Sequence, residues 1–157
     1  MSNSGTTLTM LLIGGYRSMV EAAQAELAAR GYEDVRPVHD LAIRAIASGA
    51  DSASDLGRRL MVSKQAAAKT IGILEKRAYI VREADPVDAR RKCLRVTAHG
   101  FDMLRVAEEI FDELRNKWAR QIGRTQLEEL EKHLAELIGT DPNRLDISGW
   151  LARDLDE

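Results

Sequence analysis

The sequence predicts a mainly α-helical fold with one small β-hairpin. Of its 157 residues, 45% are hydrophobic and only 4% are aromatic, and Ala and Leu are abundant. That composition favours helices over a β-sandwich. Apolar residues recur every three or four positions over most of the chain, which is the helical period. The exception is residues 79–96, where two β-prone runs flank a polar segment that contains a proline.

The first helix is predicted from Thr7 to about Arg30. Its apolar side chains follow helical spacing at Leu8, Leu12, Met19, Ala22, Ala23 and Leu27. Gly31 follows directly, and glycine is the residue that most often ends a helix in the left-handed conformation. We therefore expect this helix to stop at Arg30.

Three shorter helices are predicted next. The second helix of the chain begins near Pro37, a residue suited to a first turn, and ends around Ser48. Ser52 and Ser63 are good N-caps for a third and a fourth helix, the fourth running to about Arg77. A short turn joins the third and fourth helices, as in a helix-turn-helix. The fourth buries Ala67, Ile71 and Leu74 on its inner face.

The β-hairpin is predicted from residues 79–82 and 93–96. Between them lies the eight-residue segment DPVDARRK, residues 85–92. A tight hairpin turn needs only two residues, so a tip of this length indicates a functional or flexible loop.

Two long helices follow the hairpin. Thr97 can cap the first, whose apolar seam is Leu104, Ala107, Phe111, Leu114 and Trp118. Thr125 and Glu128 form a capping-box pattern for the second, whose seam is Leu127, Leu130, Leu134 and Leu137. Such 3-4 spacing suits packing between helices. Asp141-Pro142 could start a short final helix.

These elements predict four segments. They are an N-terminal helix (7–36), a helix-turn-helix followed by a hairpin (37–98), C-terminal helices (99–140) and a tail or short helix (141–157).

Charge is distributed unevenly along the chain. The total is −2, from 23 basic and 25 acidic residues. Residues 51–99 contain 11 basic and six acidic residues, a net charge of +5, and the remainder carries −7. A basic block between acidic flanks indicates a local polyanion-binding module on a scaffold that does not bind, although chance clustering on a solvated surface is an open alternative.

Several function classes lack sequence support. There is no Gly-rich phosphate loop, nucleophile elbow or Cys-x-x-Cys pair, so we expect neither an enzyme nor a cofactor. We expect no metal site either, because Glu129, His133 and Glu136 share a helical face of the kind that is usually solvated. The single cysteine, Cys93, fits an apolar strand position, and no apolar run is long enough for a signal peptide or membrane span. A cytoplasmic location is the expectation.

The fourth helix and the hairpin tip carry the candidate DNA contacts. Ser63, Lys64, Gln65, Ala66 and Lys69 lie on the helix's N-terminal half. Its free N–H groups and positive dipole end favour phosphate, and Gln65 could pair with adenine. Helix propensity explains the alanines equally well.

At the tip, a basic run formed by Arg90, Arg91 and Lys92 could enter the minor groove. Asp88 could orient Arg90, or it could be a turn residue.

The segment SASDLGRRLMVSKQAAAKTIGILEKRAYIVREADPVDARRKCLRVTAHG resembles the winged-helix regulators of the multiple-antibiotic-resistance-regulator (MarR) family. The phrase D-P-x-D-x-R-R followed by a β run and T-x-x-G is distinctive of that family's wing. The resemblance covers about residues 7–139, and it implies a winged helix-turn-helix (37–98) held between an N-terminal dimerisation helix (7–36) and C-terminal dimerisation helices (99–140) that together form a dimerisation scaffold. It implies that Ser63 to Thr70 begin the recognition helix, that Lys69 contacts DNA, and that Arg90 enters the minor groove with Asp88 as its partner. Ala78 stands where the family usually has Gly, and Ala68 where a hydroxyl residue is common.

The resemblance also implies a function. It implies a sequence-specific, double-stranded DNA-binding transcriptional regulator, a homodimeric repressor on a palindromic operator, relieved by a small aromatic effector and nucleoid-associated when bound. The candidate effector-binding residues are Tyr16, Arg17, His39 and Trp118. Each has a plain structural alternative as a core-edge aromatic, a surface arginine, a helix-surface histidine or a seam tryptophan. A winged-helix protein-interaction module without DNA binding is the alternative function.

Overall fold

The computed structural model describes residues 4–139, which form six helices and a two-stranded hairpin. The elements in order are α1 (Gly5–Ala29), α2 (Pro37–Ala47), α3 (Ala53–Leu60), α4 (Lys64–Lys76), β1 (Ile80–Ala84), β2 (Lys92–Val96), α5 (Ala98–Ile122) and α6 (Arg124–Ile138). The mainly helical fold with one hairpin is confirmed. The short helix expected after Asp141 lies outside the described residues. No helix of the described part is both long and apolar enough to cross a membrane.

Side-chain caps begin three of these helices where the sequence predicts them. The Ser52 hydroxyl accepts the Asp55 N–H at 3.1 Å, and the Ser63 hydroxyl accepts the Ala66 N–H at 3.0 Å. The Thr97 hydroxyl accepts the Gly100 N–H at 3.1 Å. Each cap satisfies one of the N–H groups that a helix start leaves without an intrahelical partner.

The predicted cap at Thr125 is wrong. Helix α6 begins at Arg124, and its N-cap is Gly123, which has no side chain to cap with. Gly123 also ends α5, since its N–H donates to the Ala119 carbonyl at 2.9 Å. Its φ of 100° lies where glycine is favoured. One residue therefore reverses the chain, and α6 starts before Thr125 can act.

The core lies where α2, α3, α4 and the hairpin meet α5. Fully buried side chains include Ile43 of α2, Leu56 of α3, Ile71 and Leu74 of α4, Ile80 of β1, and Met103 and Ile110 of α5. Helix α1 packs along α5, and α6 folds back against α5. The winged helix and the long helices consequently share one core rather than two.

The T-x-x-G sequence at residues 97–100 joins the hairpin to α5. Besides capping α5, the Thr97 hydroxyl donates to the Ala78 carbonyl at 2.6 Å. A side chain at Gly100 would overlap the carbonyl of Tyr79. The glycine is therefore required by close packing of α5 against the start of the hairpin.

Helix α4 ends in a left-handed residue that is not glycine. Ala78 has a φ of 60°. The Ala78 N–H donates to the Glu75 carbonyl at 2.9 Å, and the Tyr79 N–H donates to the Leu74 carbonyl at 3.0 Å. These two bonds define a Schellman motif, in which glycine is the usual left-handed residue. An alanine there carries a conformational cost of about 1 kcal/mol.

Candidate nucleic-acid interface

The α3–α4 turn sets the position of helix α4. A Cβ at Gly57 of α3 would lie 3.0 Å from the Val62 carbonyl, so the turn packs closely on α3. Ala67, Ile71 and Leu74 are buried against the core, as predicted. The opposite face of α4 is thereby turned to solvent.

The predicted contact residues of α4 lie on this solvent face. The exposed residues include Ser63, Lys64, Gln65, Ala66 and Lys69. Ala68 and Gly72 are exposed as well. Because both side chains are small, the surface of α4 around Lys69 does not project far from the helix backbone. Among the described residues, neither Lys64 nor Lys69 has an ion-pair or hydrogen-bond partner. Their ammonium groups are available to an anion.

The hairpin register places the wing residues. The strands pair antiparallel with Ile80 opposite Val96 and Ala84 opposite Lys92. Lys92 belongs to β2, so the tip is residues 85–91, one residue shorter than predicted. Val87 is 96% exposed, which places it at the outermost part of the loop.

Two aspartates fold the wing tip. The Asp85 carboxylate accepts the Val87 N–H at 2.8 Å, and the Asp88 carboxylate accepts the Arg90 N–H at 3.1 Å. Both are Asx-type turns, in which a side chain holds the backbone two residues on. The sequence left two roles open for Asp88, and this geometry is that of the turn residue. Among the described residues, the Arg90 guanidinium has no ion-pair partner.

Arg91 faces a different neighbour from Arg90. Its guanidinium lies 3.5 Å from the Asp51 carboxylate, and the Asp51 carbonyl accepts the Leu94 N–H at 3.3 Å. Asp51 lies between α2 and α3, so these contacts tie the wing to the helical part. The sequence reasoning missed Asp51, because the two residues are 40 positions apart and neither pattern nor charge links them.

Ion pairing divides the basic residues of segment 51–99 into two groups. Six of the 11 lie within 4.0 Å of a carboxylate: Arg58, Arg59, Arg77, Arg82, Arg91 and Arg95. Within residues 4–139 the other five have no such partner: Lys64, Lys69, Lys76, Arg90 and Lys92. Four of these five are candidate DNA contacts. The unpaired positive charge is therefore concentrated on the α4 face and the wing.

The four candidate effector residues do not share one cavity. Tyr16 lines an apolar cavity of about 240 Å³ between α1, α2 and α5, together with Met19, Leu41 and Phe111. Burial raises the pKa of the Tyr16 hydroxyl. Arg17 is on the surface, 3.4 Å from Glu21. Trp118 lies against Gly15.

His39 lies apart from the other three. It is only 3% exposed, and its Nδ1 accepts the backbone N–H of Arg36 at 3.1 Å. The alternative for His39, a helix-surface histidine, is thus wrong, because the ring is used to cap the start of α2. It lines a second, polar cavity beside α4.

Comparison with protein-family models finds a match for the helix-turn-helix and the wing. Residues 34–91, which span α2 to the wing tip, match the model of the MarR family. The winged helix is a MarR-family domain. A search of curated proteins found no match to the chain.

Solved structures with the same fold extend beyond the MarR-family domain. Streptococcus pneumoniae FabT, in complex with DNA, is 18% identical over 85% of this chain and 94% of its own, with a TM-score of 0.67. S. aureus MepR bound to ethidium bromide is 18% identical over 87% and 96%, with a TM-score of 0.59. Tm0710 from Thermotoga maritima, a transcriptional regulator, is 20% identical over 86% and 94%, with a TM-score of 0.62. These likenesses include the long helices that flank the MarR-family domain.

Proposed function

We propose that the chain is a homodimeric, sequence-specific DNA-binding transcriptional repressor. Helix α4 lies in the major groove, with Gln65 and the two lysines toward bases and phosphates. The wing lies over the adjacent minor groove, with Arg90 inserted. The similar FabT structure contains DNA, which supports this use of the fold.

One observation carries the proposal. The cations of the basic segment that lack a carboxylate partner are Lys64, Lys69, Arg90, Lys92 and Lys76. A paired guanidinium must give up its carboxylate to reach a phosphate, whereas an unpaired one gives up only water. A protein-interaction module would not require the unpaired cations to be concentrated on the recognition helix and the wing. DNA binding is therefore the better-supported function.

A dimer is supported by the apolar surface of the long helices. In α1, Leu8, Met10, Leu11, Leu12 and Ile13 are exposed, and in α6 Leu130, Leu137 and Ile138 are exposed. Leu137 is 83% exposed. An isolated soluble chain rarely presents so many large apolar side chains together on its terminal helices. We propose that α1, α5 and α6 of two copies cover one another.

Effector control is supported by the apolar cavity at Tyr16. The cavity lies where α2 of the winged helix meets α1 and α5 of the proposed dimer scaffold. A small aromatic ligand there would relieve repression only through different affinities for the DNA-competent and DNA-incompetent arrangements. The similar MepR structure holds ethidium, an aromatic cation.

The wing arginines provide the experiment. Arg90→Ala should weaken binding to a fluorescent DNA duplex by about tenfold or more and reduce the slope of log affinity against log salt by about one. Arg95→Ala is the matched control, because its guanidinium is already 2.7 Å from Glu83. Polarisation titrations at several salt concentrations measure both. Equal effects of the two variants, or no DNA binding by the parent chain, would contradict the proposal.

A further inference from the structure

A second cavity lies beside the recognition helix, and its lining includes no residue of the hairpin strands. Its volume is about 350 Å³. It is bounded by the 34–36 segment that precedes α2, by α2 itself, and by one side of α4. The residues lining it include Arg36, His39, Val62, Lys69, Thr70 and Arg77. It shares Ala66 and Lys69 with the candidate DNA contacts, and it shares only Arg36 with the apolar cavity.

The cavity is positively charged. Arg36, Lys69 and Arg77 line it, and Asp34 is the one carboxylate among its lining residues. The Arg77 guanidinium, 3.0 Å from the Asp34 carboxylate, lowers the pKa of that carboxyl, so Asp34 is ionised at neutral pH. His39 is neutral in this geometry, because its Nδ1 accepts a hydrogen bond. The lining residues therefore carry a net charge of +2.

A hydroxyl without a protein partner lines the same cavity. Thr70 as a residue is only 8% exposed, and within residues 4–139 its side chain forms no hydrogen bond. Because none of the described residues has a fully buried side-chain N or O atom without a partner, this hydroxyl is still reached by solvent. The residue lines the cavity, so a ligand there could accept a hydrogen bond from the hydroxyl in place of water.

The apolar part of the wall limits the kind of anion. Val38, Val62 and Ile73 line the cavity together with the charged groups. An inorganic ion would fill only a small part of the cavity, and the apolar side chains would remain in contact with water. A phosphate monoester carries about two negative charges at pH 7, and has three terminal oxygens and an organic group. Its charge matches that of the cavity, and its organic group matches the apolar wall.

We propose that this cavity binds a small organic phosphate, with the phosphate at Lys69 and Thr70 and the organic group against the valines and Ile73. Because Lys69 is shared with the DNA-binding face, bound ligand and DNA compete. The competition rests on the proposed function, whereas binding of the phosphate itself does not. The cavity is thus a second control site, beside the recognition helix rather than between the long helices.

Calorimetry on the full chain without DNA tests the binding step, with phenyl phosphate as the probe. Phenyl phosphate should bind, and phenol, which has the same ring without the charge, should not. Thr70→Val keeps the side-chain volume and removes a hydroxyl that has no protein partner, so the chain should still fold. This variant should bind phenyl phosphate about tenfold more weakly. Lys69→Gln should lose binding, and Lys117→Gln, which removes an exposed α5 charge, should retain it.

Three results would overturn the proposal. Equal affinity of the parent chain and Thr70→Val for phenyl phosphate is the first. Inorganic phosphate binding as tightly as phenyl phosphate is the second, because the apolar wall would then have no role. The third is weaker DNA binding by Thr70→Val in phosphate-free buffer while phenyl phosphate does not bind, which would assign the cavity to a DNA backbone phosphate.

A polarisation assay tests the competition separately. At constant ionic strength, phenyl phosphate should displace a fluorescent duplex from the parent chain and fail to displace it from Thr70→Val. Displacement of both to the same extent would contradict competition through this cavity. If the parent chain binds no DNA, the proposed function fails, while the calorimetric result stands.

Discussion

Asp88 shows how one carboxylate can serve the wing without contacting DNA. Its carboxylate oxygen accepts the Arg90 N–H at 3.1 Å, so Asp88 fixes the backbone of the tip. The direction of the Arg90 guanidinium is set by the rotamer of the Arg90 side chain and not by Asp88. The family resemblance implies an orienting ion pair instead. The two roles differ in what they require, since the turn requires an acceptor oxygen and the ion pair requires a negative charge.

Two substitutions at Asp88 separate these roles. Asp88→Asn keeps an acceptor oxygen and removes the charge, so it should bind a DNA duplex as tightly as the parent chain or more tightly. Asp88→Ala loses the turn and should bind several-fold more weakly. Polarisation titrations of both variants at one salt concentration provide the measurement. Weakened binding by Asp88→Asn would instead support an ion pair with Arg90.

Ala78 is one of three non-glycine residues with a positive φ among the described residues, together with Asp34 and Met61. Replacing Ala78 with glycine relieves the left-handed strain at a φ of 60° and should raise the free energy of unfolding by about 1 kcal/mol. The melting temperature should rise by about 2–4 °C. Thermal unfolding followed by circular dichroism measures this directly.

The matched control for that substitution lies in the same helix. Ala68 is exposed in the middle of α4, where glycine costs about 1 kcal/mol relative to alanine. Ala68→Gly should therefore destabilise the chain, so the same chemical change has opposite signs at two positions ten residues apart. Destabilisation by Ala78→Gly as well would show that residue 78 is not strained.

At the scale of elements, most of the fold could be predicted from local signals. The caps at Ser52, Ser63 and Thr97 and the left-handed Gly31 depend on residues within one helical turn, so the sequence displays them directly. The start of α6 was misplaced because Gly123 serves two helices at once. Two adjacent signals competed there, and the backbone reversal took precedence over the Thr125 cap.

The candidate site could be predicted only in part. Exposure of Lys64 and Lys69 follows from the helical period, because the buried residues of α4 fix its opposite face. The Arg91–Asp51 contact, the burial of His39 and the cavity at Thr70 depend on how distant elements pack. No pattern within one element encodes them.

The apolar surfaces of α1 and α6 make a prediction about assembly. Leu11 is 60% exposed, and a charge placed there would be buried unpaired in a dimer. Leu11→Glu should therefore shift the chain toward monomer in sedimentation equilibrium. Ala25→Glu, on an exposed position of the same helix, is the control and should leave the assembly unchanged. A parent chain that is monomeric throughout would contradict the proposed scaffold.

For the whole molecule, the distribution of charge matters more than its total. A net charge of −2 disfavours a uniformly basic nucleic-acid binder, yet residues 51–99 carry +5 and the rest carries −7. In the proposed complex, the acidic long helices would repel DNA and so confine it to the winged helix. In a dimer, two such winged helices would face two half-sites about 34 Å apart, one turn of B-DNA.

Selection of double-stranded DNA from a random pool tests this account most directly. The full chain is retained at moderate salt, and bound sequences are amplified and reselected. A DNA-binding homodimer should enrich a palindrome whose half-site centres are about one helical turn apart, and its retention of DNA should fall steeply as salt rises. A pool that remains random, with no salt-sensitive retention of any duplex, would contradict it.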